Sequence, residues 1–73
     1  MKRIILKDGT VISTDSKVEF LPNYINFSVN KDASAEYLFN LALVNKCDVL
    51  EFPSSYLVII KKEQVEKIEI NNQ

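Results

Sequence analysis

The only glycine in the chain, Gly9, follows Asp8 between two runs that read as strands. Asp-Gly in that setting is the strongest short signal of a β-hairpin. The primed turns that join twisted strands need positive φ, which glycine reaches without a clashing Cβ. The first strand then places Ile4 and Leu6 on one face and Arg3, Ile5 and Lys7 on the other, and "TVIST" returns beside it. Everywhere else the chain must turn without glycine.

It does so with proline and short polar residues. "LPNY" offers Pro22 at the second position of a turn, where its fixed φ fits, and Asn23 at the third. Val18 and Phe20 precede this turn on one face. Ile25, Phe27 and Val29 follow it, alternating with Asn26, Ser28 and Asn30, as in a half-wet strand. A second hairpin over 17–29 is therefore expected. "VLEF" and "YLVII" form a similar pair around "PSS", and the run from Leu57 to Ile60 suits a central strand covered on both faces. After a polar break, "VEKIEI" alternates again, with Ile68 and Ile70 expected inward.

Two of these hairpins look alike. "VEFLPNYINF" and "LEFPSSYLVI" share Glu-Phe and Tyr at matching offsets, at Glu19-Phe20 and Glu51-Phe52, and at Tyr24 and Tyr56. The match extends little further and the helix has no counterpart, so the reading is convergent turn chemistry rather than duplication. In each, the phenylalanine is expected to point inward before the bend. If the two tyrosines met on one edge, that edge would become the first candidate contact surface; if they lay apart, the helix would.

One stretch changes period. The spacing predicts a helix over 33–46, free of Gly and Pro, with Asp32 or Ser34 as the N-cap and Glu36 and Lys46 placed to suit the helix dipole. Its apolar residues occupy most of the circumference. Leu38 and Ala42 share one side, Ala35, Phe39 and Leu43 another, and Leu41 and Val44 fall near Tyr37. One sheet face cannot cover them all, so either the sheet wraps the helix or a second copy or a partner protein covers the far side, and for so short a chain the second is the expectation. The fold class that follows is α+β: a small, strongly twisted, mainly antiparallel sheet in the order β-β-β-β-α-β-β-β, packed on one central helix, in a single domain over 1–73.

The segments "LKDGTVI" and "YLVIIKKEQVEKIEI", a strand, a one-turn break and a final strand, resemble the bent sheets of SH3-like and Sm-like small barrels. The resemblance covers the two ends of the chain and implies a fold alone. Sm-like proteins carry their helix before the first strand, whereas this helix lies in the middle, and no functional residue is carried over.

Composition narrows the chemistry. The chain has no histidine and one cysteine, which removes an intramolecular disulfide, the usual zinc ligand sets and histidine-based catalysis. Cys47 follows a helix C-terminus, where the dipole opposes a thiolate, and reads as structural. Glu63, Glu66 and Glu69 alternate with lysines as a solvated edge, and a single glycine cannot build a phosphate cradle. No catalytic, metal or cofactor residue is therefore nominated, and no enzymatic activity is expected. Nine basic residues interleave with ten acidic ones, so no basic tract follows a phosphate backbone and nucleic acid is not the expected partner. No apolar run approaches the roughly 18 residues of a membrane span, and one cysteine fits a cytoplasmic location.

The candidates that remain are contact residues. Tyr24, Tyr37, Tyr56, Leu41 and Val44 are nominated for a protein interface, since tyrosine brings large area at small entropic cost. Arg3, the only arginine, is nominated for a phosphate or carboxylate ligand. The expected function is a small non-enzymatic protein-binding module or inhibitor, and a homodimer is expected from the helix pattern. Its Lys-, Asn- and Ile-rich composition is that of AT-rich genomes, where very small near-neutral domains often serve phages as blockers of host enzymes or defence systems. The alternative is a small barrel that binds a nucleotide or nucleic acid, which requires Arg3 and several lysines to converge with a tyrosine.

Overall fold

A computed structural model describes residues 1–31 and 35–70. The proposed caps Asp32 and Ser34 and the last three residues lie outside the described residues. The element order is β1 (Lys2–Leu6), β2 (Val11–Thr14), β3 (Glu19–Phe20), β4 (Tyr24–Asn30), α1 (Ala35–Leu43), β5 (Asp48–Glu51), β6 (Ser55–Lys61) and β7 (Val65–Ile70), with a 3-10 turn at Lys62–Gln64 before β7. The strands form two antiparallel sheets, one in the order β2-β1-β7 and the other β3-β4-β6-β5. This is the α+β, mainly antiparallel architecture with one helix that the periodicities imply, divided between two sheets.

The first hairpin differs from expectation in its turn. Leu6 N–H donates to the Thr10 carbonyl at 2.8 Å, and Gly9 N–H donates to the Leu6 carbonyl at 2.9 Å. The loop thus holds three residues, and only Gly9, at φ 90°, takes a positive φ. A three-residue loop with glycine in the left-handed position matches strand twist as well as a primed turn does. Asp8 stays out of that region and uses its carboxylate to accept from Thr10 N–H at 2.9 Å.

The two proline turns have the same closure and different phase. Leu21 N–H donates to the Tyr24 carbonyl, and Phe52 N–H donates to the Ser55 carbonyl, both at 2.9 Å. Tyr24 is therefore the last residue of its turn, while Tyr56 lies one residue past its own. Successive strand residues face opposite ways, so this offset sends the two tyrosines to opposite faces. Tyr24 pairs with Lys61 and Tyr56 with Val29, at opposite ends of the β4–β6 ladder, about 17 Å apart at strand rise.

One cluster of buried side chains draws on both sheets and the helix, with Phe27, Ile4, Leu6, Ile25, Ile60 and Val58 at its centre. Thr14 ties the sheets together: its hydroxyl donates to the Ser28 carbonyl at 2.6 Å and accepts from Ser16 N–H at 3.0 Å. β6 is central in its sheet, as its apolar run implies. However, only Tyr56, Val58 and Ile60 are buried, and Leu57 and Ile59 on the other face are half-exposed. Three inward expectations fail. Phe20, Phe52 and Ile70 are all exposed. Phe20 sits on a two-residue edge strand with the Lys62 ammonium 6.0 Å from its ring centroid, Phe52 at the corner of a turn and Ile70 at the end of β7.

Candidate protein-contact surface

The helix forms because nothing in "AEYLFNLAL" interrupts it and because Leu38 and Leu41 can be buried together. It stops at Leu43, earlier than the residue pattern suggests. Asn45 takes φ 62°, its N–H donates to the Ala42 carbonyl at 3.1 Å, and Lys46 N–H donates to the Leu41 carbonyl at 2.9 Å. This is a Schellman closure with asparagine in the place glycine usually holds. Lys46 then lies beyond the helix and bonds Asp8 at 2.7 Å, pinning the helix end to the first hairpin. The lysine and the Thr10 amide hold the Asp8 carboxyl well below the usual carboxylate range.

Leu38 and Leu41 define the stripe that meets the core. Leu41 is only 8% exposed, so this interface candidate is a core residue. Opposite that stripe, at 100° per residue, the helix has two apolar flanks. Tyr37 and Val44 form one; the Tyr37 hydroxyl donates to the Val11 carbonyl at 3.0 Å, which directs this flank toward β2. Phe39 and Leu43 form the other, directed toward β5: the Phe39 ring meets Tyr56 edge-on at 5.4 Å, and Tyr56 pairs with Glu51. Leu43 is 79% exposed and Val44 60%.

Tyr56 is 8% exposed and is likewise withdrawn as a surface contact. It serves the surface from beneath, as the platform for Phe39. Lys31 reaches over the same ring, 5.5 Å from its centroid, and bonds Glu51 at 2.7 Å. On the other face of the sheet from the helix, Leu50 of β5 and Phe52 just after it are each about half exposed. Of the nominated residues, Tyr37 and Val44 lie on this helix surface and Tyr24 lies elsewhere. Phe39, Leu43, Leu50 and Phe52 were not nominated. The four-residue step from Phe39 to Leu43, opposite Leu38 and Leu41, is the signal that marks the helical pair.

Tyr24 lines a hollow of about 200 Å³ with Asn45, Lys46, Asp48, Lys61 and Gln64. The Gln64 amide donates to the Asn45 carbonyl at 3.3 Å, while its oxygen is buried without a partner. A neighbouring hollow adds Lys62 and Glu63 beside Tyr24. Lysines do meet a tyrosine here, but Asp48, Glu63 and the Asp8 bound to Lys46 balance them. Arg3 lines neither hollow. It lies on β1 opposite Glu69 and bonds that carboxylate, which Lys67 also holds at 3.2 Å. Lys67 and Arg3 together keep the Glu69 carboxyl below its ordinary range.

Cys47 is buried, and burial, aided by Asp48, pushes its thiol up to about 11. Among the described residues no three His, Cys, Asp or Glu side chains gather as a metal site, and no helix is long and apolar enough to cross a membrane. No protein-family model matches the sequence, and no curated protein or solved structure is similar to it.

Proposed function

We propose that this chain is a non-enzymatic protein-binding module, and that it acts by covering a partner's surface with α1 and β5. The observation that supports the reading is the exposure of Phe39, Leu43 and Val44 on and just after α1, and of Leu50 and Phe52 on and just after β5, in a very small fold. Leaving large apolar side chains in water forgoes about 1.5–3 kcal/mol for each that could be buried. Patches of this kind mark interaction sites. An inhibitor that blocks an enzyme or defence system by occupying it would use the same surface, and the cytoplasm is the proposed location.

The test is affinity capture from the native cell or infected host, followed by mass spectrometry, with the wild-type chain and a Leu43→Lys/Val44→Lys variant in parallel. Both changed positions face water, so the variant should melt with the wild type. The reading expects a specific protein, either another protein or the chain itself, retained by the wild type and lost by the variant. Equal retention by both would refute it.

A further inference from the structure

The geometry points to a second copy of this chain as the occupant of that surface, docked by antiparallel pairing of β5 with the second copy's β5. This names the partner for the protein-contact reading and rests on it. The two sheets have four edge strands. Three are guarded. β2 gives its Val11 carbonyl to the Tyr37 hydroxyl, β3 is two residues long, and β7 carries Glu66, Lys67 and Glu69 along its length. Short strands and charges are the usual means of blunting an edge. β5 is guarded only by Asp48 and Glu51, and Lys31 already neutralises Glu51.

The phase of the β5–β6 hairpin decides which backbone groups face outward. Phe52 bonds Ser55, and Leu50↔Leu57 and Asp48↔Ile59 continue that register. In an antiparallel ladder, alternate residues turn both backbone groups to the same neighbour. Asp48, Leu50 and Phe52 therefore serve β6, and Val49 and Glu51 offer their N–H and C=O groups at the free edge. No described residue bonds those groups.

A two-fold register uses them without conflict. With Leu50 opposite its own copy on the axis, Val49 falls opposite Glu51 and Asp48 opposite Phe52. The outward-facing backbone groups then meet in two hydrogen-bonded pairs. Paired residues share a face, so the two sheets continue as one and no carboxylate lies directly against another. Centring the axis on Glu51 instead would oppose two like charges, which is destabilising.

The surrounding area suits a weak dimer. Phe39 and Leu43 flank the edge on the helix side, and Leu50 and Phe52 flank it on the other face. At about 200 Å² for each of these four side chains, the exposures amount to roughly 440 Å² per copy. Two copies bring together roughly 900 Å², just under the roughly 1,000 Å² at which specific interfaces begin, so the dimer is a weak one that forms at high concentration.

Sedimentation equilibrium of the full chain, from low micromolar to near-millimolar concentration, tests this with two variants. Leu50→Lys places two ammonium groups on the axis and should weaken association at least tenfold while leaving the dilute protein's melting temperature in place. Leu50→Cys, in a Cys47→Ser background, should give a disulfide-linked dimer on mild oxidation. Facing residues at a non-hydrogen-bonded antiparallel position lie about 4.5 Å apart, within disulfide reach. Leu57→Cys in the same background should not cross-link. A wild-type chain that stays monomeric throughout, or a dimer in which Leu50→Cys fails to cross-link, overturns the pairing. If the chain is monomeric yet capture of another protein still depends on Leu43, the self-pairing fails and the protein-contact reading stands.

Discussion

Leu41 and Leu43 are the same residue type, two positions apart on one helix, and the structure gives them opposite duties. Leu41 is 8% exposed and Leu43 is 79% exposed. Replacing Leu41 with alanine removes buried methyl groups and leaves a void, at a cost of about 2–5 kcal/mol. In a domain of this size each kcal/mol shifts the melting temperature by about 4–8 °C. Leu41→Ala should therefore lower the melting temperature by about 8 °C at the least, or unfold the chain. Leu43→Ala is different. Folding buries only about a fifth of this side chain, worth about 0.5 kcal/mol, and alanine's better helix propensity offsets part of that. Its stability should be close to wild type. If a partner covers Leu43, the remaining four-fifths is worth about 2 kcal/mol, or about 30-fold in dissociation constant. Urea unfolding of dilute protein measures the first quantity, and sedimentation or titration with a captured partner measures the second. Should Leu43→Ala destabilise as much as Leu41→Ala, the helix orientation is wrong. Should it bind as tightly as wild type, the Phe39–Leu43 flank is not a contact.

Four other outcomes follow from local geometry. Asn45→Gly should stabilise the helix end or leave it unchanged, whereas Asn45→Val should cost about 1–2 kcal/mol in thermal unfolding, because a branched side chain resists the left-handed region. Thr14→Val keeps the shape but strands the Ser28 carbonyl and the Ser16 amide; the loss, about 1–3 kcal/mol, is readable by urea titration. The Cys47 thiol has a folded value of about 11 against an ordinary 9. Its raised value favours the folded state below pH 9, and this contribution should fade as pH rises from about 9 through 11; Cys47→Ala should flatten that alkaline decline. Asp8 and Glu69 work in the opposite sense. Their depressed values favour the folded state above the ordinary carboxylate range, so stability should fall on acidification, and Asp8→Asn should reduce the slope.

Local physics made much of the fold legible. Asp8-Gly9, Pro22-Asn23 and the break at "KKEQ" locate turns, and the change of period locates the helix. The residues that misled are those whose faces are known but whose coverage is not. Alternation places Ile70 on the same face as Ile68, yet only Ile68 has neighbours over it. Phe20 lies opposite the buried Ile25 in register and still faces solvent, because β3 is an edge. The shared "EF…Y" spacing concealed a one-residue difference in where each proline turn closes, and that difference buries Tyr56 while exposing Tyr24. On the helix, the surplus of apolar residues was readable as a surface in search of cover. Which of them meet the core depended on the azimuth at which α1 settles over two sheets, and no spacing within the helix encodes that. Arg3 looked free for a ligand because Glu69, its partner, is nearly a full chain length away in sequence.

The pairing of β1 with β7 sets Lys2 opposite Ile70 and runs inward from there to Leu6 opposite Val65. Lys2 and Ile70 thus lie at the same extremity of the ladder. A force applied at these two residues would peel this ladder one rung at a time instead of shearing all rungs together. The three-stranded sheet should then open at low load while the β3-β4-β6-β5 sheet, reached only afterwards, still holds. Whatever is joined to Lys2 and Ile70 thus starts side by side, separated by about the width of a strand.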